Sequence, residues 1–238
     1  MRDTNRTSGG SLVRVNASHS CPVSSQALST RVVLLTGPSG SGKSSLAART
    51  GLPVLRLDDF YKEAGDPTLP LVSGSTDIDW DSPDSWDADA AVTAIAELCR
   101  TGRTDVPVYD ISTSSRTGHE DLHIGRTPLF VAEGIFAADI IDRCQSLGLL
   151  ADALCLRGRP STTFRRRLLR DLREGRKSVP FLLRRCWRLM RTERRIVARH
   201  VALGAHACAK PEALGRLAAA AAGRCRTPAG ANSGPFGD

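Results

Sequence analysis

The sequence predicts an α/β fold in which a parallel sheet carries helices on both faces. Short runs rich in β-branched and aliphatic residues alternate with segments of helical periodicity, an order that is typical of parallel sheets. The chain has 238 residues, of which 41% are hydrophobic, enough to form the core of one such domain. We therefore expect a single domain at residues 29–223, with a tail on either side.

The alternating pattern can be assigned element by element. Strands are predicted near residues 31–36, 53–57, 106–109, 128–133 and 152–156, and helices at 43–50, 83–100 and 137–146. The helix at 83–100 has the clearest ends, because Ser82 suits the N-cap, Pro83 the first position and Gly102 the position just past the last turn. The first and fourth strands are followed by the residues with the clearest chemistry.

The segment between the first strand and the first helix is a glycine-rich loop that matches the pattern G-x-x-x-x-G-K-[ST]. The loop consists of Gly37, Pro38, Ser39, Gly40, Ser41, Gly42, Lys43 and Ser44, and Ser45 continues into the helix. Its backbone N–H groups can surround a phosphate, Lys43 can reach the β- and γ-phosphates of ATP, and the Ser44 hydroxyl can bind Mg²⁺. A glycine- and serine-rich surface turn is the alternative, which the flanking strand and helix disfavour. The sequence thus predicts a P-loop NTPase-type sheet that binds a nucleoside triphosphate.

The ends of the chain and its cysteines bear on the cellular compartment of the protein. Residues 1–28 and 224–238 lack periodicity, so we expect two disordered tails, a transit peptide being the alternative for the first. Seven cysteines are scattered without C-x-x-C spacing, and an odd number argues against a complete disulfide framework. No apolar run approaches the ~20 residues of a membrane span. We expect a cytoplasmic protein without a membrane partner, and the sequence allows a homo-oligomer.

The positive charge of the chain is concentrated in one segment. The net charge is +8, whereas residues 157–199 alone hold sixteen Lys/Arg and three acidic residues, a local charge of +13. This segment could be a nucleic-acid surface, the solvated face of a helix, or a lid whose arginines stabilise a transferring phosphoryl group. In a chain with a P-loop the lid is favoured, so we expect an Arg-rich helical lid at about residues 158–200 and no nucleic-acid partner. Arg167 and Arg170 are three residues apart and would share one helix face.

Negative charge is concentrated upstream, with ten acidic residues between positions 58 and 90 and Lys62 as the single basic one. Near a phosphoryl acceptor, carboxylates can take the hydroxyl proton, hold Mg²⁺ through water or bind sugar hydroxyls. Asp58 is the best candidate because it follows the strand at 53–57, and ligands of open α/β sheets bind at the carboxyl ends of strands. For Asp84, Asp87 and Asp89, at the start of the predicted helix, capping or solvated roles are preferred.

Six motifs occur in an order and spacing that resemble the uridine kinase and phosphoribulokinase family over about residues 30–177. The motifs are Gly37–Ser44, Asp58–Tyr61, Trp80–Asp87, Pro107–Asp110, Glu133–Ile135 and Arg166–Asp171. The resemblance implies an ATP-dependent nucleoside kinase that uses Mg²⁺. Its small-molecule substrate would be a ribonucleoside phosphorylated at the 5′-hydroxyl, uridine first and cytidine second.

The resemblance also implies roles for residues on the acceptor side. Asp58 would be the general base for the 5′-hydroxyl, and Asp81 would bind the ribose hydroxyls. Tyr61 and Tyr109 would line the nucleoside pocket, and Arg116 would contact the acceptor.

On the phosphate side, the resemblance implies that Lys43 contacts the β- and γ-phosphates. Glu133 would order Mg²⁺ through its waters, together with the Ser44 hydroxyl. Arg167 and Arg170 would be the lid arginines over the phosphates.

One departure from the family concerns the acceptor. Uridine and cytidine kinases usually have a histidine five residues after the tyrosine that matches Tyr109, and this chain has Ser114 there. A kinase for a sugar phosphate, pantothenate or another nucleoside is therefore the first alternative. A non-catalytic nucleotide- or nucleic-acid-binding protein is the second, whereas a GTPase is disfavoured because an N-K-x-D sequence for guanine recognition is missing.

Overall fold

The computed structural model describes residues 30–157 and 193–223. The strands are β1 (Arg31–Thr36), β2 (Val54–Arg56), β3 (Arg103–Asp110), β4 (Ser115–His123), β5 (Leu129–Glu133), β6 (Leu150–Leu156) and β7 (His206–Cys208). The helices are α1 (Lys43–Arg49), α2 (Ala88–Thr101), α3 (Ile141–Ser146), α4 (residues 193–202) and α5 (Lys210–Ala221). The predicted tails, most of the predicted lid, Arg167 and Arg170 lie outside the described residues.

The core of the fold is a five-stranded sheet in the order β2-β5-β1-β6-β7, and every neighbouring pair is parallel. Its central strands are apolar on both sides, as parallel strands covered by helices must be, and all five residues of β5 are buried. This arrangement confirms the predicted α/β fold with a parallel sheet.

Helices cover the two faces of this sheet because consecutive residues of a strand point to opposite sides. On one side Leu34 of β1 packs in a cluster with Ile95 and Leu98 of α2. On the other side Leu35 packs in a second cluster with Leu46 of α1 and Leu217 of α5. The two clusters hold the carboxyl ends of β1, β5 and β2 at one edge of the molecule.

The strand predicted near 106–109 is present, but it does not join the parallel sheet. As β3 it pairs antiparallel with β4 in a separate two-stranded hairpin. Neither β4 nor the three-residue β7 was predicted. The sequence of β4 is polar on both sides, with most of its residues exposed, and so it lacks the apolar alternation that marks a half-buried strand.

The helix predicted from Pro83 begins later than expected, at Ala88. Ser82 instead caps a short 3₁₀ turn, Pro83–Ser85, and Asp87 is the N-cap of α2, where its side chain accepts a hydrogen bond from the Ala90 N–H at 2.9 Å. Trp86 interrupts the helix because its buried indole N–H donates to the Leu57 carbonyl at 2.7 Å, which holds the local backbone extended.

The other end of α2 is as predicted. Gly102 adopts a left-handed conformation with φ of 75°, and its N–H donates to the Leu98 carbonyl at 2.9 Å. Within the described residues, none of the helices has both the length and the apolar character needed to cross a bilayer.

Candidate active site

Three neighbouring strands end at the same edge of the sheet, and each is followed by a predicted site residue. β1 leads into the P-loop, β2 into the turn that contains Asp58, and β5 ends at Glu133. The register pairs Leu35 and Arg56 with Glu133 from either side. The parallel topology therefore brings segments that are about 20 to 100 residues apart in sequence to one place.

The P-loop turns sharply and closes around its own backbone. Gly37, Gly40 and Gly42 have φ angles of 139°, 79° and 92°, which side-chain-bearing residues rarely adopt. Lys43 is 8% exposed, and its ammonium group donates to the Gly37 carbonyl at 2.9 Å. Within the described part of the chain, the buried Ser41 hydroxyl has no hydrogen-bond partner. The loop is thus a tight polar cradle of the size and chemistry that a phosphate requires.

Replacing Gly37 with alanine is expected to destabilise the protein and weaken ATP binding. A Cβ at this position would lie 2.6 Å from the Leu156 carbonyl oxygen, and the φ of 139° adds strain. We expect a loss of roughly 1 to 3 kcal/mol, seen as a fall in Tm of roughly 3 to 10 °C, and at least ~10-fold weaker ATP binding by titration.

Gly51→Ala is the matched control for this substitution. Gly51 also has a positive φ, 68°, but a Cβ there meets no atom within 4 Å. An equal loss of ATP affinity in both variants would show that close packing of the loop against β6 is not what shapes the cradle.

The Ser44 hydroxyl and the Glu133 carboxylate lie side by side below the loop. Ser44 Oγ donates to Glu133 Oε1 at 2.8 Å, across 89 residues of sequence. Glu133 is 6% exposed, and its Oε2 is buried without a hydrogen-bond partner among the described residues. Burial raises the pKa of Glu133, opposed by the Ser44 hydrogen bond and the Lys43 charge. A hydroxyl beside a buried carboxylate with an unsatisfied oxygen fits a hydrated divalent cation such as Mg²⁺.

Asp58 is held at the mouth of this site by the backbone that follows β5. Its Oδ1 accepts a hydrogen bond from the Ile135 N–H at 3.1 Å, and the described residues provide no hydrogen bond to Oδ2. Gly134 permits this approach, because a Cβ there would lie 3.0 Å from Asp58 Oδ1 and 2.8 Å from the Leu57 Cβ. One carboxylate oxygen is thus anchored while the other is available to accept a proton.

An aromatic cluster adjoins Asp58. The ring of Tyr61 lies 5.8 Å from those of Tyr109 and Phe136, and 6.1 Å from that of Trp80, measured between centroids. Burial, and then the charges of Asp58 and Asp81, raise the pKa of Tyr61. Tyr61 therefore stays a neutral phenol that can donate a hydrogen bond.

A polar cleft of about 440 Å³ opens next to this cluster. Its lining residues include Lys62, Glu63, Asp66, Asp87 and Arg116. Arg116, brought here by β4, lies 3.5 Å from Asp87, and its backbone N–H donates to Glu63 at 3.1 Å. The buried Arg116 Nε has no hydrogen-bond partner within the described ranges. The hairpin thus delivers a cation to this cleft.

The model of the phosphoribulokinase / uridine kinase family matches residues 32–179, which is more than half of the chain. The chain belongs to this family. A uridine kinase of Schizosaccharomyces pombe is 32% identical over 114 residues, which are 45% of this chain and 25% of that protein. A uridine kinase of Haemophilus influenzae is 27% identical over 160 residues, 62% of this chain and 71% of the relative.

The alignments cover only part of the length of some relatives, and the fold comparison supports the α/β fold. The matched regions span about a quarter of the length of the uridine kinases of Schizosaccharomyces pombe and Saccharomyces cerevisiae, 25% and 22%. A solved Silicibacter structure, which carries the name of a fructose transport system kinase, superimposes with a TM-score of 0.53 and 17% identity. It covers 73% of this chain and 87% of that one, and at this identity it shows the fold alone.

The structure brings most of the predicted site residues to one edge of the sheet. Lys43, Ser44, Glu133 and Asp58 surround the ends of β1, β5 and β2, and Tyr61 is close enough to feel the charges of both Asp58 and Asp81. Tyr109 adjoins them through its ring contact with Tyr61 and donates from its hydroxyl to the Lys62 carbonyl at 3.1 Å. The predicted partners that fall outside the described residues are Arg167 and Arg170.

Two buried polar residues next to the site were not predicted. Thr36, the last residue of β1, and His200 of α4 are 1% and 2% exposed, and Thr36 Oγ1 lies 3.2 Å from His200 Nδ1. They are 164 residues apart in sequence, so no local pattern connects them. A threonine at the end of an apolar strand, immediately before the loop glycine, was the one available signal.

Proposed function

We propose that this kinase transfers the γ-phosphoryl group of ATP to the 5′-hydroxyl of a ribonucleoside, uridine first and cytidine second. The observation that carries this proposal is the position of Asp58. Its charge acts on both Glu133 and Tyr61, which would serve the phosphate and the acceptor sides, so Asp58 would stand where the two halves of the site meet. A general base for an acceptor hydroxyl has to occupy such a position.

On the phosphate side, Lys43 would exchange its contacts with the Gly37 and Pro38 carbonyls for the β- and γ-phosphate oxygens of ATP. Ser44 and Glu133 would hold Mg²⁺, which supplies charge neutralisation on the phosphates when it is bound. Arg167 and Arg170, outside the described residues, are proposed to contact the same phosphates. These groups act by position and charge.

On the acceptor side, Asp58 Oδ2 would accept the proton of the 5′-hydroxyl while the 5′-oxygen of the acceptor bonds to the γ-phosphorus. The bond between the γ-phosphorus and the β–γ bridging oxygen breaks, which yields ADP and the nucleoside 5′-monophosphate. The Ile135 N–H would keep the carboxylate oriented throughout. Asp81 would bind ribose hydroxyls, and Tyr61, Tyr109 and Arg116 would enclose the rest of the acceptor.

The decisive measurement is acceptor-dependent ADP release from purified protein with ATP and Mg²⁺. We expect turnover with uridine or cytidine, and the product should carry its phosphate on the 5′-oxygen. The panel should also include purine nucleosides, sugars, a sugar phosphate and pantothenate. Failure with every nucleoside alongside turnover of another acceptor would replace the proposed substrate and leave the kinase activity intact.

A sugar phosphate is the second candidate acceptor because the cleft lining includes two cations, beside three carboxylates. Lys62 and Arg116 both face it, and Lys62 has a Thr68 hydroxyl at 2.9 Å as its hydrogen-bond partner. Cationic side chains of this kind attract phosphate oxygens. Preference for the phosphorylated over the free sugar in the same panel would favour this candidate.

A further inference from the structure

A chain of three hydrogen bonds runs from α4 to Asp58. It starts at His200, passes through the Thr36 hydroxyl to the Ile135 carbonyl at 3.1 Å, and leaves from the Ile135 N–H to Asp58 Oδ1 at 3.1 Å. Both His200 and Thr36 are buried, whereas Asp58 is partly exposed. This series of hydrogen bonds therefore links the buried interior to Asp58, the residue proposed to react.

The direction of these hydrogen bonds follows from counting protons. The Ile135 carbonyl can only accept, so the single hydroxyl proton of Thr36 points to it. Thr36 Oγ1 then accepts from His200, which places the ring proton of His200 on Nδ1. The thiol of Cys155, 3.8 Å from the same nitrogen, is a weaker second acceptor.

His200 is suited to this part because it stays neutral. Burial is the main cause that lowers its pKa to about 4, with Arg199 and Lys43 acting in the same direction and Asp139 opposing them. In a neutral imidazole only one ring nitrogen carries a proton, and the Thr36 hydroxyl, which already donates to the Ile135 carbonyl, favours the tautomer with that proton on Nδ1. It also adds no positive charge next to Lys43.

Residue Ile135 is held from both sides by this chain. Its N–H belongs to the peptide unit it shares with Gly134, and its C=O to the peptide unit it shares with Phe136, so two hydrogen bonds restrain the torsions between them. The first of these peptide units has one further hydrogen bond, a long one of 3.5 Å from the Ala137 N–H to the Gly134 carbonyl. A donor fixed in this way fixes the carboxylate that accepts from it.

We infer that Thr36 and His200 are positioning residues that hold Asp58 in its reactive orientation through the backbone of Ile135. The inference rests on the proposed function of Asp58 as the general base. Displacing a reacting group by ~1 Å can cost ~100-fold in rate. Loss of the Thr36 or His200 contact should therefore lower kcat and spare ATP binding.

The first test compares Thr36→Val with Thr36→Ser. Valine keeps the shape of threonine and removes the hydroxyl, so we expect kcat to fall by about 10- to 100-fold, with the KM for ATP within about twofold. Serine restores the hydroxyl and should recover most of kcat. Thr30→Val is the matched control, since Thr30 lies just before β1, is 3% exposed and donates to the Thr127 carbonyl at 2.6 Å, at the opposite end of the strand.

The second test compares His200→Asn with His200→Leu. The amide N–H of asparagine can replace Nδ1–H, whereas leucine can only fill space. We expect the leucine variant to lose kcat like Thr36→Val and the asparagine variant to regain part of it. Wild-type kcat in both Thr36→Val and His200→Leu would overturn the inference, and so would a loss in Thr30→Val as large as in Thr36→Val.

A third measurement needs no acceptor and separates this inference from the proposed function. Amide hydrogen exchange at Ile135 should quicken by ~10-fold or more in Thr36→Val, in His200→Leu and in Asp58→Ala, because each removes a restraint on that peptide. Exchange at Ile135 should stay at the wild-type rate in Thr30→Val. If no nucleoside is phosphorylated, the proposed function fails, while unchanged Ile135 exchange in Thr36→Val and His200→Leu overturns the hydrogen-bond chain itself.

Discussion

Asp58→Asn is expected to lower kcat for nucleoside phosphorylation by about 100- to 10,000-fold while ATP affinity stays within about twofold. The asparagine side chain has nearly the same shape, and its carbonyl oxygen can still accept from the Ile135 N–H, at 3.1 Å in the native protein. The position of the group is therefore kept and its basicity is lost. Steady-state kinetics with saturating ATP, paired with ATP titration of the variant, measures both quantities.

Asp59→Asn is the matched control for this experiment. Asp59 is the next residue in the same 3₁₀ turn, and its carboxylate pairs with Arg56 at 3.4 Å. We expect this variant to keep most of the wild-type kcat. Retained turnover in Asp58→Asn would remove Asp58 as the general base, whereas equal losses in both variants would indicate that the turn itself is damaged.

Glu133→Gln is expected to lower the proposed phosphoryl-transfer activity and to raise the stability of the protein at the same time. Removing the charge should raise the Mg²⁺ concentration needed for half-maximal turnover and lower kcat by about 100- to 1,000-fold. The buried carboxylate carries one oxygen without a hydrogen-bond partner within the described residues, so its loss relieves an unfavourable charge. In the absence of nucleotide and Mg²⁺ we expect Tm to rise by roughly 2 to 4 °C, which corresponds to about 1 kcal/mol.

The stability gain in Glu133→Gln should depend on pH in a defined direction. Burial raises the pKa of Glu133 above its ordinary value of 4.5, so the folded state holds this proton more tightly than the unfolded state. In the wild-type protein, protonation of Glu133 stabilises the folded state. This stabilisation is complete below the ordinary pKa and is lost as pH rises through the raised pKa. The difference in Tm between Glu133→Gln and wild type should therefore widen as pH increases to neutrality.

Thermal unfolding across this pH range, without ligands, measures that difference. Glu97→Gln is the control. Glu97 lies on α2, outside the P-loop, and accepts a hydrogen bond from the Thr104 hydroxyl at 2.6 Å. A Tm difference that narrows as pH rises would contradict the raised pKa of Glu133. An unchanged Mg²⁺ requirement in Glu133→Gln would argue against its role beside Ser44.

Local sequence patterns were sufficient for four of the five strands of the parallel sheet and for the candidates along its edge. The P-loop is recognisable because its glycines and Lys43 have fixed spacing, and Glu133 because it ends an apolar strand. Asp58 follows a strand in the same way. Each of these predictions depends on a few consecutive residues and on the rule that parallel strands present their carboxyl ends at one edge. Their catalytic roles stay predictions until the variants are measured.

The predictions that failed concern elements whose limits depend on distant partners. The start of α2 is delayed because Trp86 binds the Leu57 carbonyl, 29 residues away. The hairpin of β3 and β4 draws its residues out of the parallel sheet, and the polar β4 is recognisable only once its partner strand is known. Neither effect leaves a mark in the local periodicity.

Sequence patterns alone were enough to propose the phosphate half of the site, since a loop of eight consecutive residues and two strand ends carry its expected chemistry. The tertiary structure decided what holds Asp58, because the Ile135 N–H, Thr36 and His200 come from three separate parts of the chain and meet only after folding. Folding also places Arg116 at the polar cleft, through the β3–β4 hairpin. This difference between what could and could not be predicted follows from the range of the interactions. Local backbone conformation depends on neighbours in sequence, whereas these buried hydrogen bonds join groups that are neighbours only in space.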